Sequence, residues 1–312
     1  MNLTWQAEEV LRAVRGQCLH EQTWEARGVA VDSHATQPGD LFVALKDSAH
    51  DAHDDVGLAF AKGAAAAIVQ RAPSQVPPDA PLIFVDDTFA ALQDLGRVGR
   101  LRAKAKIVAV TSAGRKRDCP EQLRAMLEAE SDTYANEDNQ PHAWSVPLSL
   151  ARLPAGAHYG IFAFGMNQAG ELGSLAREVH PQVSLIADGA VQDSAAAEEE
   201  IFLGMSPDGT AILNRDTPHY ARLLAAARTQ GLKRTLSFGH NAKSDARLLA
   251  YLPEEDGQEV KAVVLGQKVS YRIGTQDALA SLGALLAAIA AGGDLITCAE
   301  ALAAYRPARS AA

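Results

Sequence analysis

The chain is poor in cysteine, in cationic residues and in long apolar runs, and each shortage removes a class of protein. It holds 3 cysteines, Cys18, Cys119 and Cys298, which lie far apart and form no C-x-x-C pair. That pattern argues against a disulfide framework and against a zinc ribbon. Lys+Arg 29 against Asp+Glu 38 leaves a net charge of −9, so the surface as a whole repels nucleic acid and anionic membrane. A local basic patch can still hold one anionic ligand. The Ala-rich apolar run Ala278–Ala291 has 14 residues, short of the roughly 20 that a membrane-spanning helix needs.

Other chemistries are missing too. The 9 histidines contain no H-x-x-x-H or H-E-x-x-H spacing, and no G-x-S-x-G elbow occurs. The opening MNLTWQAEEVLRAV carries acidic residues where a secretory signal needs an apolar stretch. The expectation is a protein of the reducing cytoplasm, with no membrane insertion and no nucleic-acid partner.

What is present describes a globular chain. The hydrophobic fraction is 47% and the charged fraction 21%, enough for a sizeable core. At about 150 residues per domain, 312 residues suggest two domains. In the first hundred residues GVAVDS, DLFVAL, AAAIVQ and PLIFVDD read as strands, Val56 to Lys62 as a helix, and Ser74 to Pro81 as a Pro-rich turn. Thr88 to Lys104 is helical in spacing and leads to KIVAVT, a buried strand. HYGIFAF, VSLIAD, GTAILN and RTLSFG follow as strands, separated by helical segments at 171–179, 195–203 and 219–227. Such alternation predicts a largely parallel sheet covered on both faces. ARLLAYL, EVKAVVLG and KVSYRIG then read as an antiparallel addition before the helix Ala278–Ala291.

A strand, a polar loop and a helix form the setting of a phosphate loop, here Val110 to Glu121. Lys116 stands where a lysine reaches β- and γ-phosphates. Ser112 and Arg115 stand where glycine lets backbone N–H groups curl around phosphate, and Arg117 replaces the hydroxyl that ligates Mg²⁺. Gly114 is offset. The segment reads as a modified anion site of Arg115, Lys116 and Arg117, or as a solvated basic turn. Cys119, next to these cations, is either a thiol of lowered pKa or an inert buried cysteine.

Four longer strings carry a resemblance: DSHATQPGDLFVALK (32–46), VPLSLARLPAG (146–156), FGMNQAGELGSLAREVHP (164–181) and GTAILNRDTPHYARL (209–223). Through them, from Val31 to about Leu295, the chain resembles the MurF-type Mur ligases, the UDP-N-acetylmuramoyl-tripeptide:D-alanyl-D-alanine ligases of peptidoglycan synthesis. The resemblance implies an α/β fold: a small N-terminal α/β UDP-binding-like domain (1–100) and a central, mostly parallel, P-loop-like α/β domain (101–312) with a degenerate phosphate loop. It also implies that the family's C-terminal Rossmann-like domain is absent. The family uses ATP and Mg²⁺ to make an acyl phosphate on the peptide carboxylate, which the amine of D-Ala-D-Ala then attacks.

Position by position, the resemblance is uneven. The family's phosphate loop falls on Thr111 to Arg117, where Thr111 and Lys116 match and Ser112, Arg115 and Arg117 do not. The family's Tyr-Asn-Asn-x-x-Gly-Val-Pro stretch reads Gln140 to Pro147 here, without either asparagine. Its Mg²⁺-ligating glutamate is replaced by Ala163. Glu198 falls near its carbamylated lysine and either contacts a cation or belongs, with Glu199 and Glu200, to a solvated helix face. Asn214 and Asp216 match the Asn-x-Asp that holds adenosine, a pattern that also makes an ordinary turn. Ser33, Lys46, Asp51 and His53 match the UDP side, while His34 replaces an arginine and Asp47 and Ala52 replace glycines. His53 either contacts a ligand or caps a turn.

The expectation is a non-catalytic MurF-like paralogue, a pseudoenzyme whose partner is UDP-MurNAc-peptide or a peptidoglycan-synthesis protein. Two alternatives stand beside it: a working ATP-dependent ligase that joins D-Ala-D-Ala to UDP-MurNAc-tripeptide, and a structural interaction protein with no small-molecule site.

Overall fold

A computed structural model describes residues 3–18, 23–48, 50–111, 118–136, 142–165, 170–187, 195–254, 257–274 and 276–306. The chain packs as two compact units, the first made of Met1–Lys104 and His142–Ala157, the second of Ala105–Pro141 and His158–Ala312.

The first unit runs through β1 (Trp5–Gln6), α1 (Ala7–Val14), β2 (Gln17–Cys18), β3 (Glu25–Ala26), β4 (Gly28–Ala30), β5 (Asp40–Val43), α2 (Val56–Ala61), β6 (Ala66–Val69), β7 (Leu82–Phe84) and α3 (Thr88–Arg102). Its sheet has the order β2-β7-β6-β5-β4, parallel except where β2 joins β7. Side chains alternate between two cores, as a period of two requires. Leu41, Val43, Ala66 and Ile68 face α1 and α3, while Phe42, Ala67 and Val69 face the layer that contains Val56 and Ala59.

The chain then passes through β8 (Lys106–Thr111), α4 (Asp118–Glu128) and β9 (Thr133–Ala135) of the second unit before returning with α5 (Ser145–Ala151). This packing differs from a single cut between residues 100 and 101. The reason lies in α3. A Cβ on Gly96 would stand 2.7 Å from the Pro147 carbonyl oxygen, and one on Gly99 would stand 2.2 Å from that of Leu150. Only glycine lets the two helix backbones come this close. The Trp5 indole N–H donates to the Ala151 carbonyl at 3.0 Å and fixes the far end of α5.

The second unit continues with β10 (Tyr159–Phe164), α6 (Glu171–Val179), β11 (Val183–Ile186), α7 (Ala195–Glu198) with a 3₁₀ extension (Glu199–Gly204), β12 (Thr210–Asn214), α8 (Tyr220–Thr229) and β13 (Arg234–Gly239). It closes with β14 (Ala246–Glu254), β15 (Gly257–Val264), β16 (Gln267–Ile273), α9 (Ala278–Ala291) and α10 (Leu295–Ala304). The sheet order is β16-β15-β14-β13-β12-β11-β8-β10-β9, parallel from β9 to β14 and antiparallel across β14, β15 and β16. Ile107, Val108, Ala109 and Val110 are all buried, the continuous apolar run of a strand covered on both faces.

The mostly parallel α/β reading therefore holds. Helix α9 is buried along nearly its whole length, with Leu279 and Ile289 only partly so, which explains why its apolar residues show no single face. Among the described residues, no helix is long and apolar enough to cross a membrane.

Candidate functional site

In open parallel sheets, ligands gather outside the carboxyl ends of the strands. Both units place matched residues there.

In the second unit the register sets Phe164, Thr111, Ile186, Leu213 and Ser237 in one row across β10, β8, β11, β12 and β13. Thr111 ends β8 with 1% of its surface exposed, and its hydroxyl has no hydrogen-bond partner among the described residues. Gly114 and Lys116, with the rest of 112–117, lie outside the described residues. Asn214 stands one residue past the row, two strands from Thr111, a separation of about 10 Å at the usual strand spacing.

Asn214 and Asp216 are both engaged inside the protein. The Asn214 Oδ1 accepts the Asp216 N–H at 2.9 Å. The Asp216 carboxylate accepts the His240 N–H at 2.6 Å and the Asn241 N–H at 3.2 Å. The pair thus clamps the turn after β13 to the turn after β12.

Ala163 lies beside Val110, one residue before the row and before the end of β10, and its side chain is a methyl group. Asn136 was not singled out in the sequence, yet it grips this position. Its Oδ1 accepts the Ala163 N–H at 2.8 Å and its Nδ2 donates to the Ala163 carbonyl at 3.2 Å. The asparagine directly after the short strand β9 was the available signal.

The acidic triplet needs a correction. Glu198 is 1% exposed, so the three do not form a solvated face. The turn changes from α to 3₁₀ at this point and sends the side chains different ways. Glu199 pairs with Arg222. Glu200 accepts the Gly170 N–H at 2.6 Å and the Gly173 N–H at 3.0 Å, capping α6 with a carboxylate. Cys119 is buried, as an inert cysteine would be.

In the first unit the loops after β5 and β6 are bonded to each other at the carboxyl end of the sheet, and the loop after β4 leaves the same edge. Ser33, after β4, is 2% exposed, and its hydroxyl has no partner among the described residues. Lys46 and Asp51 form an isolated antiparallel bridge after β5, with Lys46 Nζ 3.5 Å from Asp51 Oδ2. The His53 Nδ1 bonds Asp51 Oδ1 at 2.6 Å, and its Nε2 lies 2.8 Å from the Gln70 nitrogen. A backbone N–H can only donate, so Nε2 is the acceptor and the proton sits on Nδ1. Both ring nitrogens are bonded within the protein, one to Asp51 and the other to the Gln70 N–H after β6, while the Asp51 carboxylate caps the short turn that starts at Ala52.

Arg71, which carries no motif signal in the sequence, brings NH2 within 3.4 Å of Asp51 Oδ2 and 2.5 Å of Asp54 Oδ1. Burial pushes the Asp51 carboxyl up. The His53 backbone N–H, the His53 ring and the Arg71 cation outweigh it and hold the group well below the usual carboxylate range. Asp51 is therefore an anionic hub that fixes one lysine, one arginine and one histidine.

The Mur ligase middle domain matches residues 107–291, more than half of the chain. The UDP-N-acetylmuramoyl-tripeptide--D-alanyl-D-alanine ligase of Rickettsia prowazekii is 29% identical over 232 residues, covering 72% of this chain and 51% of its own. That of Escherichia coli is 32% identical over 197 residues, covering 60% and 43%. The chain thus spans about half the length of the curated relatives it matches. A ligase structure from Acinetobacter baumannii superposes with a TM-score of 0.83 at 25% identity, covering 98% of this chain and 70% of that one. A Thermotoga maritima MurF ligase solved with ADP shares the fold, with a TM-score of 0.68 at 20% identity and coverage of 88% and 66%.

Proposed function

The chain belongs to the Mur ligase family, and we propose that within it this protein is a non-catalytic, MurF-like member that binds a UDP-linked wall precursor. The observation that carries this reading is Ala163. Near the carboxyl edge of the sheet, beside Val110 and one residue short of the row that holds Thr111, a methyl group stands where the family resemblance places a magnesium-ligating carboxylate. A methyl group offers no oxygen to a hard cation.

Mg²⁺ therefore does not fit this position. Among the described residues no group of three or more His, Cys, Asp and Glu is arranged to hold a metal. Arg115 and Arg117 add to the reading, since neither can act as the glycine or the hydroxyl of a phosphate loop.

The precursor side is supported by different chemistry. Ser33 keeps a buried hydroxyl without a partner among the described residues, a cost that a ligand oxygen or nitrogen would relieve. Lys46, 65% exposed at its side chain, supplies a positive charge for a diphosphate, and Asp51 orients it. Asp51 and His53 act as positioning residues, because their polar atoms are already bonded within the protein.

Calorimetric titration with UDP-MurNAc-tripeptide tests this reading. Binding that Ser33→Ala and Lys46→Ala each weaken about tenfold supports it, that being the loss of one charge-assisted or buried hydrogen bond. Absence of heat at about millimolar ligand, where ΔG is about −4 kcal/mol, removes the precursor. The second reading, a working ligase, draws on the retained Thr111 and Lys116.

A further inference from the structure

Arg71 stands beside Lys46 in the first unit, and the register shows why. Ala30, Phe42 and Ala67 lie side by side across β4, β5 and β6. Ser33 follows that row by three residues, and Lys46 and Arg71 follow it by four. All three leave the carboxyl end of one parallel sheet. Lys46 Nζ at 3.5 Å and Arg71 Nη2 at 3.4 Å share a single oxygen, Asp51 Oδ2. The two cations are therefore no further apart than those two distances laid end to end, a spacing that suits neighbouring phosphoryl groups.

A strut between the loops after β5 and β6 would not require this arginine. The buried His53 ring already joins them, accepting the Gln70 N–H at 2.8 Å one residue before Arg71. Nor is the guanidinium used up. Its Nη2 makes both printed ion pairs, to Asp51 and Asp54, while Nε and Nη1 have no partner among the described residues. The Asp54 side chain is 69% exposed, and an ion pair so placed contributes little. Exchanging that partner for a phosphate oxygen, which arginine binds strongly, costs little in turn.

We propose that Arg71 is a ligand-binding residue, and that with Lys46 it forms a two-cation clamp for the diphosphate of a nucleotide-linked precursor. The clamp rests on the precursor-binding reading and assigns the part of the ligand that these two loops hold. Asp51 keeps two like charges at a fixed spacing that they would otherwise enlarge by repulsion. Asp54 competes with the ligand for Arg71. A diphosphate meets both cations, whereas a monophosphate has one phosphoryl group to offer them.

Calorimetric titration of the full chain with UDP-MurNAc-tripeptide, and with UDP and UMP as competitors, tests the proposal. Arg71→Gln should weaken UDP-MurNAc-tripeptide and UDP about tenfold, the loss of one charge-assisted hydrogen bond, and UMP by much less. Arg71→Lys should recover part of the loss. Asp54→Asn should tighten both diphosphates about threefold, the scale of an exposed ion pair, and the gain should vanish in the Arg71→Gln background. Arg71 and Asp54 are 47% and 69% exposed, so neither change disturbs a core position, and unchanged melting temperatures check this. No heat from the wild type removes the precursor reading and the clamp with it. Wild-type binding that Arg71→Gln leaves unaltered, equal weakening of UDP and UMP, or an Asp54→Asn gain that is absent or survives without Arg71 overturns the clamp alone.

Discussion

Asn136 holds Ala163 by both of its backbone polar groups, at 2.8 Å through Oδ1 and 3.2 Å through Nδ2. A side-chain amide thus extends the pairing of β9 with β10 one step beyond Ala135 and Ile161, the last residues in register. The backbone at the end of β10 is held rigidly although its side chain brings no donor.

Asn136→Ala leaves the Ala163 N–H and carbonyl without these partners and should cost about 1–3 kcal/mol. Asn136→Asp keeps the acceptor and should lose less. Urea unfolding with an unchanged m-value measures both.

Gly99→Ala weighs two opposed effects. Alanine gains about 1 kcal/mol in helix propensity, but its Cβ would meet the Leu150 carbonyl oxygen at 2.2 Å. Forced separation of packed helices costs about 1–3 kcal/mol, so net destabilisation is expected. A lowered melting temperature for Gly99→Ala, beside an unchanged one for Ala substitution at exposed Gly156, would show it.

Glu200→Ala removes the carboxylate that caps the first turn of α6 and should cost about 1–2 kcal/mol. Glu200→Gln retains one acceptor without the charge and should fall between. The comparison separates hydrogen bonding from the dipole contribution.

Asp51 sets a pH dependence. Its folded pKa lies below the unfolded value, so its contribution to stability is fully present above the unfolded pKa of about 4. As pH falls below that value the unfolded state takes up the proton first, and stability declines. Asp51→Asn should flatten the curve of stability against pH between about pH 5 and pH 3. An equal slope in the variant would contradict the hub described for Asp51.

The sequence made the regular parts legible where one signal sufficed. Lys106–Thr111, Glu171–Val179 and Ala278–Ala291 were readable to the residue, because continuous apolar runs and helical spacing are local properties. Helix α5 was not: its place in the first unit depends on Gly96 and Gly99, some fifty residues away in sequence, which admit its backbone. The row Thr111, Ile186, Leu213 depends on strand order, which no motif encodes. Three consecutive glutamates look like a wet face on a continuous helix, and the change to 3₁₀ at Glu199 buries one and turns another into a cap. Both ring nitrogens of His53 found partners 2 and 17 residues away, a pairing that composition cannot show.

The ligase framework stands, on this account, without the means to transfer a phosphoryl group. Release of ADP from Mg·ATP in the presence of UDP-MurNAc-tripeptide and D-Ala-D-Ala tests that claim most directly. The expected result is release no faster than without protein and no difference between the wild type and Lys116→Ala. ADP release by the wild type that Lys116→Ala abolishes would contradict it.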